Sequence, residues 1–348
     1  MKVIQFKKHG GPDVLEYVEI DDLTPGRGEV VLRVRATSLN HLDLFVRRGI
    51  PGVKIPLPHV PGCDAAGEVL ALGDGVTTLE QGERVLLNPS VTCGQCEFCL
   101  RGDTSMCRTF NVFGEDRWGG YAEQMVVPAE NLVPIPDDMS NEDAASVPLV
   151  FMTAWRMLIG RGRVRPSEDV LILGAAAGVG IAAIQIAKVA GARVFAAASS
   201  DEKLALCGEL GADVLINYEA ENFVRRVREE TGKRGVDVVV DYVGKDTWVD
   251  SLRSLTRGGR LLTCGATTGY DPTTDIRQIF YRQLEIIGST MGSANDLNAA
   301  LTLISSRKMK PVVGKVFELK EAADAHRLME TRNALGKIVR RPHGGPDD

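Results

Sequence analysis

The chain has 348 residues, 44% of them hydrophobic, and its 41 Lys and Arg against 46 Asp and Glu give a formal net charge of −5. That length is comfortable for two domains, and the lack of a basic excess argues against a nucleic-acid partner. No apolar run approaches the roughly 20 residues of a membrane-spanning helix, and the N-terminus MKVIQFKKHGG carries no signal-peptide core, so a cytoplasmic protein without a membrane partner is expected.

From Met1 to about Val127 the pattern is strand and turn. Segments such as Glu29–Ala36 (EVVLRVRA) and Gly67–Leu72 (GEVLAL) alternate or run apolar between Gly, Pro and Asp, which predicts a β-rich domain over residues 1–127. Inside it Cys93–Cys107 reads CGQCEFCLRGDTSMC, with spacing C-x2-C-x2-C-x7-C. Four thiolates this close wrap one tetrahedral zinc, Gly94 and Gly102 easing the turns between them. With Cys93, Cys96, Cys99 and Cys107 all bound, such a zinc has no vacancy for substrate and serves structure in the lobe 93–107. Iron–sulfur clusters use other spacings. The remaining cysteines, Cys63, Cys207 and Cys264, read as packed small hydrophobes.

After residue 128 the character changes. Asp138–Gly160, containing ASVPLVFMTAWRML, predicts a buried helical stretch, and Asp169–Ser200 reads as strand, small-residue turn, helix and second strand, the first βαβ unit of a dinucleotide-binding fold. In the turn, Gly174, Ala175, Ala177, Gly178 and Gly180, with Val179 between the last two, keep bulk away from the place where a pyrophosphate meets backbone N–H groups, and the helix adds its positive end. The pattern repeats: strand Ala212–Ile216, helix Glu219–Thr231, strand Val236–Asp241, helix Trp248–Leu255, strand Arg260–Cys264 and a last strand at Gln283–Gly288. Largely apolar strands between helices imply an α/β domain over 128–288, with a doubly wound parallel sheet covered on both faces. The tail from Ser289 carries helices at Ala294–Ser306 and Glu321–Thr331 and the strand GKIVRRP. Periodicity leaves open whether it extends this domain or returns to the first. The final HGGPDD, residues 343–348, is expected to be disordered.

The strand after the turn ends ARVFAAASSDEK. A domain that prefers NAD presents Asp or Glu at this end for the ribose hydroxyls. Here Ser199, Ser200 and Lys203 offer hydroxyls and an ammonium suited to a 2′-phosphate, which favours NADPH. Asp201 keeps NADH open, and Ser200 or Asp201 as a helix cap is the competing explanation of the same residues.

The β-rich N-terminal region with CGQCEFC, the turn GAAAGVG, DYVG at Asp241–Gly244, GGRLLTCGATTG at Gly258–Gly269 and GSTMGS at Gly288–Ser293 together resemble the medium-chain dehydrogenase/reductase superfamily. The resemblance implies a GroES-like catalytic domain, completed by a return segment over 289–342, and a central Rossmann domain with the nicotinamide held in the cleft. By the same resemblance the cofactor meets Thr153, Tyr218, Lys203, Gly265, Ala266, Thr267, Ser289 and Thr290, with Lys337 at the pyrophosphate. Members commonly form homodimers or homotetramers.

Two branches compete. The zinc alcohol dehydrogenases carry a four-cysteine lobe and also a catalytic zinc on Cys, His, often a Glu, and a second Cys. Here SLNHLDL places Asn40 at the first ligand, PGCDAAG places Cys63 and Asp64 at the next two, and VPLVFMTAW has no cysteine. NHLDLFVRRG, through Asn40, Asp43, Arg47 and Gly49, instead resembles the zinc-independent quinone oxidoreductases related to zeta-crystallin. The expected protein therefore keeps a structural zinc and lacks a catalytic one. Without a Lewis acid, a quinone or an α,β-unsaturated carbonyl is the easier acceptor, because conjugation spreads the incoming charge. Asn40 is expected to hydrogen-bond the acceptor oxygen or to cap the following helix. His41 is a candidate proton donor near neutral pH, Asp43 a base or a local anchor, and Cys63 a reactive thiol or a packed residue. Arg47 and Arg48 meet cofactor phosphate or face water. The alternatives are an alcohol dehydrogenase with a rearranged metal site on Cys63, His41 and Asp64, and a non-catalytic NADPH-binding protein.

Overall fold

The structure is a computed structural model and describes residues 1–342; the disordered tail expected at 343–348 lies outside the described residues. In chain order, β1 (Lys2–Gln5), β2 (Glu16–Glu19) and β3 (Glu29–Ser38) precede α1 (His41–Arg48), β4 (Asp64–Leu72), β5 (Arg84–Leu87) and β6 (Ser90–Val91). Then come α2 (Glu97–Leu100), β7 (Asn111–Val112), β8 (Gln124–Pro128), β9 (Leu132–Pro134), α3 (Asn141–Ala145) and α4 (Pro148–Trp155), the last running into a π-helical turn at Arg156–Arg161. A strand–helix alternation follows: β10 (Asp169–Leu173), α5 (Gly178–Val189), β11 (Arg193–Ala198), α6 (Asp201–Glu209), β12 (Val214–Asn217), α7 (Phe223–Glu230) and β13 (Val236–Val240). It continues with α8 (Trp248–Ser254), β14 (Leu255–Thr263), α9 (Ile276–Arg282) and β15 (Glu285–Gly288), and the chain ends with α10 (Ala294–Ser305), β16 (Val313–Glu318), α11 (Ala322–Glu330) and β17 (Lys337–Arg341).

These elements form two compact units. The first comprises Met1–Leu149, Ser293–Leu297 and the chain from Pro311; the second comprises Val150–Gly292 and Asn298–Lys310. In the first unit a seven-stranded sheet has the order β16-β17-β3-β4-β5-β9, with β8 also paired to β3. Its core gathers alternate residues of these strands, such as Val30, Leu32, Val34, Val69, Val85 and Leu87, all essentially without solvent exposure, as expected of a sheet with one face turned inward. In the second unit six parallel strands take the order β12-β11-β10-β13-β14-β15, the doubly wound Rossmann order in which the sheet reverses direction beside its first strand. Leu171, Leu173, Phe195, Ile216, Val239 and Leu261 sit in its core. Among the described residues no helix is long and apolar enough to cross a membrane.

The boundaries differ from the sequence-based expectation in two places. The first unit runs to Leu149 rather than residue 127, because β8 pairs with β3 and β9 with β5. The return is also not continuous over 289–342. Asn298–Lys310 belongs to the second unit, where the Gln185 side chain accepts from the Lys310 N–H at 2.8 Å and donates to its carbonyl at 2.9 Å. Only from Pro311 does the tail supply β16 and β17 to the first sheet.

Candidate active site

In the second unit the small-residue turn links β10 to α5, whose first turn begins at Gly178. Gly174 adopts φ +62°, a left-handed conformation that costs glycine little. A Cβ at Gly180 would fall 2.5 Å from the Ala175 carbonyl oxygen and 2.7 Å from its Cα, so helix and turn approach closer than any side chain allows. Ala177 is the N-cap residue and offers no capping side chain. The leading amides of Gly178 and Val179 have no intrahelical acceptor and are the donors a pyrophosphate would take.

Other cofactor candidates lie in the same unit. Thr153 is buried, and Thr153 Oγ1 and Ser289 Oγ are solvent-shielded hydroxyls with no hydrogen-bond partner among the described residues. Buried polar atoms are normally satisfied, so both hydroxyls fit donors and acceptors held for a bound group. Thr267 donates its N–H to the Tyr242 carbonyl at 3.3 Å, Ala266 accepts from Gly269 at 3.2 Å and Thr263 accepts from Ser289 at 2.9 Å. Gly265 follows β14 directly after Cys264, and Thr290 is exposed. Tyr218, 41% exposed, follows β12 and donates its N–H to Ala198.

At the end of β11 the Lys203 ammonium donates to Ser199 Oγ at 2.9 Å, and Ser200 caps α6 by accepting from the Lys203 N–H at 3.4 Å. Burial lowers the Lys203 pKa from its ordinary value, with Glu202 acting against it. Asp201 is engaged away from this pair, accepting from Asn217 Nδ2 at 2.8 Å. A hydroxyl and an ammonium thus stand together just after β11, while the neighbouring carboxylate is held by an amide.

In the first unit, Asn40, Asp64 and Lys337 come together in a buried polar group. Asp64 is fully buried: Oδ2 accepts from Ser38 Oγ and Asn40 Nδ2, each at 2.8 Å, and from Lys337 Nζ at 3.3 Å, while Oδ1 accepts from the Leu149 N–H at 2.9 Å. Lys337 Nζ also donates to Asn40 Oδ1 at 2.7 Å and to the Leu39 carbonyl at 3.0 Å. Three acceptors therefore hold an ammonium whose side chain is only 5% exposed. The carboxamide of Asn40 is fixed at both ends, and an amide nitrogen carries two hydrogens, which leaves one Nδ2–H beyond the bond to Asp64.

Several expected roles change here. Lys337 is committed to Asn40 and Asp64 and is not disposed as a pyrophosphate ligand. Asp43 is an anchor and not a base: Oδ2 accepts from the Asn40 N–H at 2.8 Å, completing a cap on α1, and Oδ1 accepts from the Gly62 N–H at 3.1 Å and the Cys63 thiol at 3.5 Å. Burial raises the Asp43 pKa, opposed by Arg340 and the Asn40 amide. Cys63 is fully buried, and burial, then Asp43 and Asp64, push its thiol well above the usual range, so it is a packed thiol and not a nucleophile. His41 is exposed at the start of α1, yet desolvation and then Lys337, Arg332 and Arg48 lower its pKa to about 4. Arg47 faces neither water nor a phosphate: it is fully buried, donating to the Gly10 carbonyl at 3.1 Å, to His326 at 3.0 Å and to Glu330, which also pairs with exposed Arg48 at 2.7 Å.

The four-cysteine loop is assembled. All four sulfurs lie within 4.8 Å of one another, and this is the only group of three or more His, Cys, Asp or Glu residues among the described residues placed to share a metal. Sulfur–sulfur separations are 3.5 Å for Cys96–Cys99, 3.6 Å for Cys93–Cys107 and 4.0 Å for Cys93–Cys99. Zinc–sulfur bonds of about 2.3 Å in a tetrahedron require edges of about 3.8 Å, so the residues fit zinc. Amide N–H groups of Cys96 and Cys93 donate to Cys93 and Cys107 sulfur, each at 3.3 Å, and such contacts favour thiolates. Cys63, Asp64 and His41 form no comparable group.

A family model for the alcohol dehydrogenase GroES-like domain matches residues 26–137, and one for zinc-binding dehydrogenases matches residues 178–306. The chain belongs to the medium-chain dehydrogenase/reductase superfamily and is an NAD(P)-dependent oxidoreductase of that family. It is 32% identical to an acryloyl-coenzyme A reductase of Metallosphaera sedula over 97% of this chain and 99% of that one. It is 34% identical to a quinone oxidoreductase of Pseudomonas aeruginosa over 98% and 99%. A solved structure described as an NAD-dependent alcohol dehydrogenase is 44% identical with a TM-score of 0.95, covering 99% of this chain and 100% of that one.

Proposed function

We propose that this chain is an NADPH-dependent reductase of quinones or α,β-unsaturated carbonyl compounds that works without a catalytic zinc and keeps one structural zinc on Cys93, Cys96, Cys99 and Cys107. The observation that carries the reading is the ammonium of Lys337 seated between Asn40 Oδ1, the Leu39 carbonyl and Asp64. Asp64 spends its lone pairs on four donors, Cys63 stays protonated, and a resident cation repels a second one. These residues do not fit a catalytic metal. Relatives named quinone oxidoreductase and acryloyl-coenzyme A reductase support an unsaturated acceptor.

A reduced nicotinamide, when bound, supplies the hydride. The turn 174–180 and the hydroxyls of Thr153 and Ser289 hold and orient it, and Ser199 with Lys203 favours the 2′-phosphate. Asn40, its amide polarised by Lys337, offers the remaining Nδ2–H to the acceptor oxygen as charge develops there. A conjugated acceptor needs only this modest help. We include in the reading a homodimer or homotetramer, supported by β15 at the edge of the parallel sheet with Ile286 39% exposed; light scattering after gel filtration distinguishes the two.

The test is a substrate panel. Turnover of a quinone, an enone and an enoyl thioester with NADPH should exceed reduction of a simple ketone and oxidation of its alcohol by at least about a hundredfold, the scale of one well-placed electrostatic contribution. Faster alcohol oxidation with NAD would favour the second reading, an alcohol dehydrogenase, for which the similarity to the solved NAD-dependent enzyme is the supporting observation.

A further inference from the structure

The first turn of α5 lacks the side chain that normally caps such a helix, since its N-cap is Ala177. Ser, Thr, Asp or Asn at this place would take one of the leading N–H groups, but a side chain there would also stand in the path of a phosphate. The turn is held from outside instead. Tyr242, which follows β13 in the DYVG segment, donates its hydroxyl hydrogen to the Gly174 carbonyl at 2.8 Å. Gly174 O also accepts the Ala177 N–H at 2.9 Å. The tyrosine ring lies against Gly174, so that a Cβ on that glycine would meet ring atoms at 3.4 Å. The start of the turn is therefore held at the Gly174 carbonyl by a hydroxyl and a ring supplied from the loop after β13.

The mount of Tyr242 is itself built. The buried carboxylate of Asp241 accepts from the Val243 and Gly244 N–H groups at 2.9 and 3.0 Å, from Thr247 Oγ1 at 2.8 Å and from Ser251 Oγ at 2.6 Å. These bonds fix the loop that carries the ring.

We infer that Tyr242 is a positioning residue of the dinucleotide site, anchoring the start of the turn through the Gly174 carbonyl so that the Gly178 and Val179 amides stay aimed and available for the pyrophosphate. The inference rests on the dinucleotide reading of the turn and is independent of which acceptor is reduced. It requires that removal of the hydroxyl alone weaken whatever engages the turn while sparing the adenosine half of the site.

The test compares wild-type protein with Tyr242→Phe in calorimetric binding of NADPH, NADH and 2′-AMP, the last lacking a pyrophosphate. Losing one net hydrogen bond predicts about five- to tenfold weaker binding of both dinucleotides, 2′-AMP binding within about twofold of wild type, and an unchanged kcat at saturating cofactor. The melting temperature of the cofactor-free variant should stay close to wild type because the ring and its packing remain. Dinucleotide affinity within twofold of wild type would overturn the inference, as would equal weakening of 2′-AMP, which would mark general disorder of the domain. Wild-type protein that binds neither dinucleotide would fail the dinucleotide reading and this inference with it; failure of the enone and quinone panel would leave these binding ratios intact.

Discussion

The sulfurs of Cys93, Cys96, Cys99 and Cys107 and the polar group around Asp64 both gather electron-rich atoms in the first unit, and they treat a cation in opposite ways. The cysteine loop is peripheral, its sulfurs face one another at 3.5–4.0 Å, and the contacts that touch them are amide donors that favour thiolate. The Asp64 group is buried, contains only one carboxylate and one amide oxygen with a backbone carbonyl, and closes around an ammonium of its own. The difference teaches that a metal site is decided by which cation the surrounding chain already supplies, and by the protonation state the burial imposes, more than by a count of Cys, His and Asp nearby.

The sharpest way to break this contrast is to remove the carboxylate. Asp64→Ala leaves the Lys337 ammonium buried without its countercharge and should cost about 3–5 kcal/mol of unfolding free energy, measured by urea denaturation; Lys337→Met in that background should recover part of the loss. A cost under about 1 kcal/mol would show that the pair is not the closed unit described. Next in size, Asn40→Ala should lower kcat for an enone about a hundredfold if its free amide hydrogen meets developing charge, with cofactor affinity unchanged; a change confined to KM would reassign Asn40 to ground-state binding.

Gly180→Ala places a methyl 2.5 Å from the Ala175 carbonyl oxygen and should cost about 1–3 kcal/mol by forcing helix and turn apart. Cofactor binding should weaken in the same variant, as titration of nicotinamide fluorescence can show. The smallest effect concerns pH. His326 is fully buried between Tyr121 and Arg47, and desolvation, then Arg340, Arg47 and Arg48, hold its pKa well below the ordinary value of 6.5. The unfolded state therefore binds a proton first as pH falls through about 6.5, so this contribution to stability is full above that pH and is lost toward pH 5. The slope is at most about 1.4 kcal/mol per pH unit, and His326→Gln should flatten the dependence of the urea midpoint between pH 7 and 5. An unchanged slope would contradict a neutral buried His326.

What the sequence shows and what it hides follows from sequence separation. The glycine turn and the cysteine loop are legible because each is local: close backbone approach requires small residues at adjacent positions, and four ligands within 15 residues can meet only around one centre. Alternating strand and helix likewise announce the parallel sheet. Lys337 is different, since its partners Asn40 and Asp64 lie 297 and 273 residues away in the chain, and a strand GKIVRR gives no sign that its lysine is buried in a sheet built from residues near the start. The assignment of 128–149 to the first unit escaped for the same reason, because the five-residue β8 that leads into it and the three-residue β9 within it acquire meaning only through pairing with β3 and β5. Cys63 carried chemistry by residue type alone, and its complete burial removed it. Tyr242 had no sequence signal beyond its place in DYVG.

The most direct test of the contrast between the two cation sites is zinc content by mass spectrometry in wild type and Cys99→Ser, measured with NADPH-dependent enone turnover on the same samples. The account predicts one zinc per chain in the wild type, essentially none in the variant, and turnover that persists in the variant wherever it remains folded. A second zinc that survives in Cys99→Ser, and whose removal by a chelator abolishes turnover, would contradict it.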